Sequence, residues 1–163
     1  MSVHRAYVGI GTNLGDRLDN ADRALVALES LGTIARLSSW YRTEPWGKRD
    51  QPWFLNAVAA LETALQPRVL LERMKVIEDE LGRTHGERWG PRVIDLDLLV
   101  YDDIELDEPD MRLPHPLLRE RAFVLVPLAE IDARFAALRD ALPRAQLAGV
   151  VRVERESVAN MSE

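Results

Sequence analysis

The sequence contains no cysteine, only two lysines (Lys48 and Lys75) and few aromatic side chains, 6% of 163 residues. The lack of cysteine excludes disulfides, thiolate metal sites and a cysteine nucleophile, and it fits a cytoplasmic location. No apolar run approaches the roughly 20 residues of a membrane helix. The first residues run directly into a strand-like segment without a signal-peptide h-region, so a cytoplasmic chain with no membrane partner is expected. Basic residues are in deficit, 21 against 27 acidic, for a net charge of −6. That balance is a poor match to nucleic acid, and no nucleic-acid partner is expected. Any anion must be gripped by a local cluster. With lysine scarce the cations are nearly all arginine, which suits bidentate phosphate recognition; a codon bias toward arginine would produce the same excess.

What is present is ordinary globular material: 47% apolar and 29% charged residues, near the usual values of about 45–50% and 25%. The length suits one domain over residues 1–163. Residues 6–10 read as a strand. A glycine-rich turn over 11–15 leads to a helix over 16–31, with apolar Leu18, Ala21, Leu25 and Leu28 at helical spacing. Asn13 or Asp16 is the expected N-cap. The spacing Gly9-x-Gly11-x-x-x-Gly15 is not that of a dinucleotide-binding loop.

Residues 33–43 read as strand, 44–52 as a loop and 54–63 as a long strand. Residues 67–81 read as a helix, opened by Pro67 and stopped by Gly82. A loop of about ten residues, long for a compact domain, covers 83–92. A strand follows over 94–101. Asp102-Asp103 is expected to turn it as a hairpin into 104–106. Pro114-His115-Pro116 breaks the chain, and 117–131 reads as two helical pieces around Arg121. The last 30 residues are weakly patterned, with 154–163 expected to be a frayed tail. The order β-α-β-β-α-β predicts an α+β, ferredoxin-like α/β sandwich: a mainly antiparallel sheet with helices on one face and the other face free for a site.

The sharpest chemical feature is Asp95-Leu96-Asp97-Leu98. Alternation places Ile94, Leu96, Leu98 and Val100 toward the core and both aspartates on the opposite face. Their α-carbons are then about 6.6 Å apart. Two carboxylates so spaced can bridge cations about 3.5–4 Å apart, and magnesium is commonly held by one or two carboxylates plus substrate phosphates. A solvated polar strand face is the plain alternative. Arg83, Arg88, Arg92 and His85 crowd the preceding loop, and arginines over developing phosphate charge assist phosphoryl transfer. Trp89 can stack on a base or plug the loop. His115 is restricted by two prolines and followed by Arg119 and Arg121. Glu78 points away from the apolar stripe of its helix and by itself reads as surface.

Arg88-Trp89-Gly90-Pro91-Arg92-Val93-Ile94-Asp95-Leu96-Asp97-Leu98-Leu99 closely resembles the signature of the 6-hydroxymethyl-7,8-dihydropterin pyrophosphokinases of folate synthesis. Further blocks agree in order: Ile10 to Gly15, Ser39 to Pro45, Gln51 to Asn56, Ile77-Glu78 with Leu81-Gly82-Arg83, and Pro114-His115-Pro116 with Arg121 to Leu125. The resemblance spans about residues 5–131. It implies a monomeric ferredoxin-like enzyme that moves pyrophosphate from MgATP to the pterin hydroxymethyl group and releases AMP.

By matching positions, the resemblance makes Asp95 and Asp97 the ligands of two Mg²⁺ ions. Arg83, Arg92 and Asp97 become catalytic, and Lys75, Glu78, Trp89, Arg92, Leu98, Arg112, His115 and Arg121 bind ATP. Thr43, Glu44, Pro45, Trp46, Asn56 and Asp95 contact the pterin, with Phe54 and Phe123 on either side of its ring. Offset stacking between two aromatics suits a flat heterocycle, and an Asn amide can donate to and accept from its edge. The 83–92 loop is one residue shorter than in some relatives, and His85 stands near where many carry a second arginine. A metal-dependent phosphotransferase with another acceptor, or a ferredoxin-like small-ligand-binding domain, are the alternative readings.

Overall fold

A computed structural model describes residues 2–44, 50–82 and 93–161. Strand β1 (His4–Thr12) is followed by helix α1 (Arg17–Glu29), and strands β2 (Thr33–Leu37), β3 (Trp40–Thr43) and β4 (Phe54–Thr63) lead to helix α2 (Pro67–Glu80) and strand β5 (Asp95–Tyr101). Of the two candidate caps, Asp16 takes the role, accepting from the Asp19 amide at 3.1 Å. The sheet runs β5-β1-β4-β3, with β2 also on β4, and every pairing is antiparallel. The expected single strand over 33–43 is two strands laid end to end along β4. Ser38 makes the joint: its amide donates to Val58 O at 2.9 Å, and its Oγ accepts from the Val58 amide at 2.9 Å. A side chain thus replaces a rung of the ladder.

One face of the sheet carries Ala6, Val8, Ile10, Leu55, Ala57, Ala59, Leu61, Leu96 and Leu98, packed on Ala21, Ala24 and Leu28 of α1 and Leu70, Met74 and Ile77 of α2. Each large side chain buried there contributes on the order of 1.5–3 kcal/mol. The opposite face, expected to be free, is free only at one end. Helix α3 (Ala122–Ile131) lies over Tyr7, Val58, Ala60, Leu99 and Val100 through Val124, Leu125, Leu128 and Ile131. Val100 was expected beside Leu98. A bulge reverses it: Tyr7 pairs with Val100 and Val8 with Leu98, so Leu99 is extra and Val100 turns toward α3.

The expected hairpin from β5 into 104–106 does not form. Asp102 takes a left-handed conformation (φ 46°), which Asp tolerates in turns. Its carboxylate accepts from the Arg5 amide at 2.8 Å and meets His4 Nδ1 at 2.7 Å, tying the end of β5 to β1. The chain continues into a separate two-stranded sheet, β6 (Leu106–Glu108) with β7 (Met111–Leu113). Arg68 of α2 pins that hairpin through Glu108 and through Asp110 at 2.6 Å.

The C-terminal segment is more ordered than its pattern suggested. After helices α4 (Ala136–Asp140) and α5 (Arg144–Ala148), strand β8 (Val150–Val153) pairs with β3 in the main sheet. Residues 154–163, expected to fray, include helix α6 (Arg155–Ala159). Its Val158 is buried in the core, and its Arg155 meets Asp22 of α1 at 2.9 Å. Among the described residues no helix is long and apolar enough to cross a membrane.

Candidate active site

The uncovered end of the sheet is where the polar residues gather. In β5, Asp95 stands opposite Gly11 of β1, and Asp97 opposite Gly9. Gly11 in turn faces Asn56 of β4, and Asn56 faces Tyr41 of β3. Tyr41, Asn56, Gly11 and Asp95 therefore form one row across four strands. Asp95 and Asp97 are both half-buried on this face, as the alternation predicts. A Cβ at Gly11 would lie 3.1 Å from Asn56 Oδ1 and 3.7 Å from Phe54 Cδ1. The missing side chain therefore opens the space above Asn56 and beside Phe54. Asn56 and Thr43 are buried, and Asn56 Nδ2 donates to Thr43 Oγ1 at 3.1 Å, which fixes the amide with Oδ1 on the Gly11 side.

Arg121 and Phe123 come to the same place from the start of α3. The Arg121 side chain is buried, with Nη1 3.7 Å from Asp97 Oδ2 and its guanidinium 5.3 Å from the Phe123 ring centre. His115 is seated on the open edge of β5, its amide donating to Leu99 O at 2.8 Å. Its Nδ1 accepts from the Leu117 amide at 3.1 Å, so a neutral ring carries its proton on Nε2. Burial first, and then the Arg121 charge, hold the imidazole down at about 4, against an opposing pull from Asp95. At neutral pH His115 is an uncharged hydrogen-bond donor near two charged groups.

Glu78 is not a surface residue. It is buried beneath β5, where Oε2 accepts from the Leu96 amide at 2.8 Å, directly between the two aspartates in sequence. Leu98 packs into the helix-side core, on the face opposite Asp97. Lys75 is exposed on α2 within electrostatic reach of Asp110, and Arg112 is exposed on β7, 3.3 Å from Asp107. Both therefore stand at the β6–β7 hairpin, off the row. Glu44 is exposed just beyond β3. Pro45, Trp46, Arg83, Trp89 and Arg92 lie outside the described residues, as do Arg88 and His85.

Sequence reasoning missed the bare strand made by Gly9 and Gly11. The available signal was two glycines at i and i+2 inside a strand pattern, which marks close approach of a ligand or backbone. It also missed the grip on the segment leading into β4. Asn13 Nδ2 donates to Gln51 Oε1 and to Pro52 O, both at 2.9 Å. Arg17 Nε donates to Trp53 O at 3.1 Å, with its guanidinium 3.8 Å from the Trp53 ring centre; that of Arg42 is 4.8 Å from the same ring.

Among the described residues no group of three or more His, Cys, Asp or Glu is gathered, so Asp95 and Asp97 stand as a pair. Two hard oxygen donors, half-exposed and on one strand face, fit a magnesium ion that completes its shell with water and phosphate.

Comparison with known proteins gives one consistent family. Residues 7–133 match the family model described as 7,8-dihydro-6-hydroxymethylpterin-pyrophosphokinase. A 2-amino-4-hydroxy-6-hydroxymethyldihydropteridine pyrophosphokinase of Methylorubrum extorquens is 47% identical over 157 residues, covering 92% of this chain and 99% of the relative. The protein of the same name from Bacillus subtilis is 44% identical over 128 residues, 77% of either chain. That from Pseudomonas aeruginosa is 43% identical over 131 residues, 79% of this chain and 81% of the relative.

Among solved structures, an HPPK-DHPS in complex with substrates superposes with a TM-score of 0.65 at 13% identity over 86% of this chain, which spans 43% of that larger one. The Plasmodium falciparum HPPK-DHPS with pteroate gives 0.66 at 14% identity, over 85% of this chain and 42% of that one. These two carry the fold, and the closer relatives carry the family. The matched stretch takes in every strand and helix that builds the open end of the sheet, and the chain belongs to the 7,8-dihydro-6-hydroxymethylpterin-pyrophosphokinase family.

Proposed function

We propose that this chain carries out its family's reaction at the open end of the sheet, with Asp95 and Asp97 as the metal ligands. The protein is an ATP-dependent pyrophosphokinase of folate biosynthesis, transferring pyrophosphate from ATP to the hydroxymethyl group of hydroxymethyldihydropterin. The observation that carries the assignment of the site is the row Asp95–Gly11–Asn56, with Phe54 at its side and Arg121 and Phe123 arriving from α3.

In this reading the pterin ring lies between Phe54 and Phe123, its edge read by Asn56, with Thr43 holding the Asn56 amide. Glu44, Pro45, Trp46 and Asp95 complete the pterin side. Asp95 and Asp97 would hold two Mg²⁺ ions, which would supply positive charge to neutralise the ATP phosphates. Arg121 brings a buried positive charge to the phosphates, and His115 donates through Nε2. Arg83, Arg92 and Trp89 belong to the ATP side, with Lys75 and Arg112 at its outer margin. The backbone of Leu98, rather than its side chain, faces that site. Glu78 acts from below by fixing the Leu96 amide, and with it the direction of both aspartates. The pterin hydroxyl attacks the β-phosphorus in line, Asp97 orients that hydroxyl, and AMP leaves.

We also take residues 1–163 as one domain, since β8 from the C-terminal segment joins the same sheet as β1. We take the protein as a monomer, as the family resemblance implies, and as cytoplasmic, where its co-substrate ATP is found. Incubation with MgATP and 6-hydroxymethyl-7,8-dihydropterin, with the nucleotides resolved, tests the reaction. AMP formed in step with the pterin diphosphate is the expected result. ADP would mean γ-phosphoryl transfer, and no turnover in a protein that binds MgATP would mean a different acceptor.

A further inference from the structure

The two sides of the proposed pterin slot belong to different elements. Asn56, Thr43 and Phe54 sit on β3 and β4, whereas Phe123 and Arg121 sit on the first turn of α3. Their spacing depends on how α3 is placed along the sheet. The helix cannot fix that by packing alone. Ala122, Val124, Leu125, Pro127, Leu128, Ala129 and Ile131 are all buried, and apolar burial is non-directional. Directional contacts must set its position: Arg121 meets Asp97 at the near end, and a group of hydrogen bonds holds the far end. Arg36 of β2 donates to Ile131 O at 2.8 Å, and Tyr7 of β1 donates to Asp132 at 2.7 Å.

The third tie reaches the strand of the slot itself. The Glu130 carboxylate accepts from the Ser39 amide at 3.0 and 3.1 Å, from Ser39 Oγ at 2.8 Å and from the Tyr41 hydroxyl at 2.6 Å. Tyr41 is buried, stands opposite Asn56 in the row, and lies two residues before Thr43. Burial and the neighbouring carboxylate push its hydroxyl well above the ordinary range, so it remains a donor. One carboxylate thus joins the last turn of the helix bearing Phe123 to the strand bearing Thr43.

We infer that Glu130 is a positioning residue for the pterin, holding α3 in register with β3 through Tyr41 and Ser39 and so setting the gap between Phe123 and the Asn56–Phe54 side. The inference rests on the pterin reading above. It requires that loosening the tie weaken pterin recognition more than MgATP binding, because Asp95 and Asp97 are carried by β5 and Arg121, although it opens α3, is also held by Asp97 at 3.7 Å.

The test is a cycle of Glu130→Gln, Tyr41→Phe and the double variant, with KM for the pterin, KM for MgATP, kcat and Tm measured on each. Each single change is expected to raise the pterin KM about three- to tenfold and to leave the MgATP KM within about twofold. The double variant is expected to be no worse than the poorer single one, as for two partners in one interaction. Folded variants with a lower Tm and an unchanged pterin KM would overturn the inference, as would parallel losses for both substrates. Should Glu130→Gln not fold, Tyr41→Phe with Ser39→Ala gives the same comparison. Titration of the wild-type protein with the pterin in the presence of a non-hydrolysable MgATP analogue separates the two levels. Absent binding there overturns the pterin reading; binding with unaffected variants overturns only the role of Glu130.

Discussion

Arg121 Nη1 lies 3.7 Å from Asp97 Oδ2, a buried guanidinium beside a half-exposed carboxylate. The pair joins the start of α3 to the middle of β5, and it places a fixed positive charge next to the proposed metal ligand. Asp97→Asn keeps the shape and removes the charge. It is expected to cut kcat about a hundred- to a thousandfold and to weaken the dependence of rate on magnesium. Initial rates of AMP formation across a magnesium titration check this; a variant with a wild-type magnesium profile would remove Asp97 from the metal site.

His115 gives a pH signature. Its folded value is lowered to about 4 by burial and by Arg121, from about 6.5 for the unfolded chain. The unfolded state therefore takes up a proton first as pH falls, and it is thereby stabilised relative to the folded state. The stability that His115 contributes is complete above pH 6.5 and is lost progressively between 6.5 and about 4. Tm measured across that range is expected to fall less steeply for His115→Gln than for the wild-type protein. Parallel curves would show that the ring titrates normally in the fold.

The two glycines of β1 differ in what a methyl would meet. At Gly11 it would stand 3.1 Å from Asn56 Oδ1, tighter than ordinary contact; at Gly9 it would meet Leu99 at 3.5 Å and Asp97 Cβ at 3.7 Å. Gly11→Ala is therefore expected to raise the pterin KM by about an order of magnitude with a small change in Tm. Gly9→Ala is expected to keep the pterin KM within about threefold. Steady-state kinetics of both variants decide it, and the reverse ranking would place the ring elsewhere.

Glu78 supports the proposed metal ligands from behind. Removing its carboxylate exposes the buried Leu96 amide to the loss of a charge-assisted bond at 2.8 Å, at a cost of about 1–3 kcal/mol. Glu78→Ala is expected to lower stability by that amount in urea unfolding and to weaken MgATP binding, while Glu78→Gln keeps most of both through its amide oxygen. Equal effects of Ala and Gln would show that the amide does not need an acceptor there.

Much of the frame was legible because it rests on periodicity. Helix α2 carries a clean 3.6-residue stripe and strand β4 a continuous apolar run over Ala57 to Leu61, and the structure gives them nearly the predicted bounds. The direction of Asp95 and Asp97 was legible for the same reason. Where the reading failed, the deciding interaction was not local. The bulge at Leu99 depends on how β1 lies alongside, so alternation alone continued through it. Asp102-Asp103 has hairpin chemistry, but the Asp102 carboxylate is spent on Arg5 and His4 of β1, and the chain leaves for a separate sheet. Glu78 read as surface because the partner that buries it, the Leu96 amide, lies on another element. Strand β8 has little pattern of its own and is ordered by pairing with β3. Tyr41 and Glu130 are 89 positions apart in the chain, and neither residue points to the other.

The extra residue at Leu99 gives β5 two independent reading frames. Before it, odd positions face the open end of the sheet and carry the aspartates; after it, Val100 faces α3 and Tyr101 returns to the helix-side core. A single-residue insertion between Ile94 and Asp97 would shift the first frame, burying a carboxylate and exposing a leucine. The second frame is anchored separately by Tyr7 and Asp102. The strand can thus vary its chemistry upstream of Leu99 without disturbing the packing downstream, and the bulge is the seam at which the stretch bearing the proposed metal ligands is joined to an ordinary structural one.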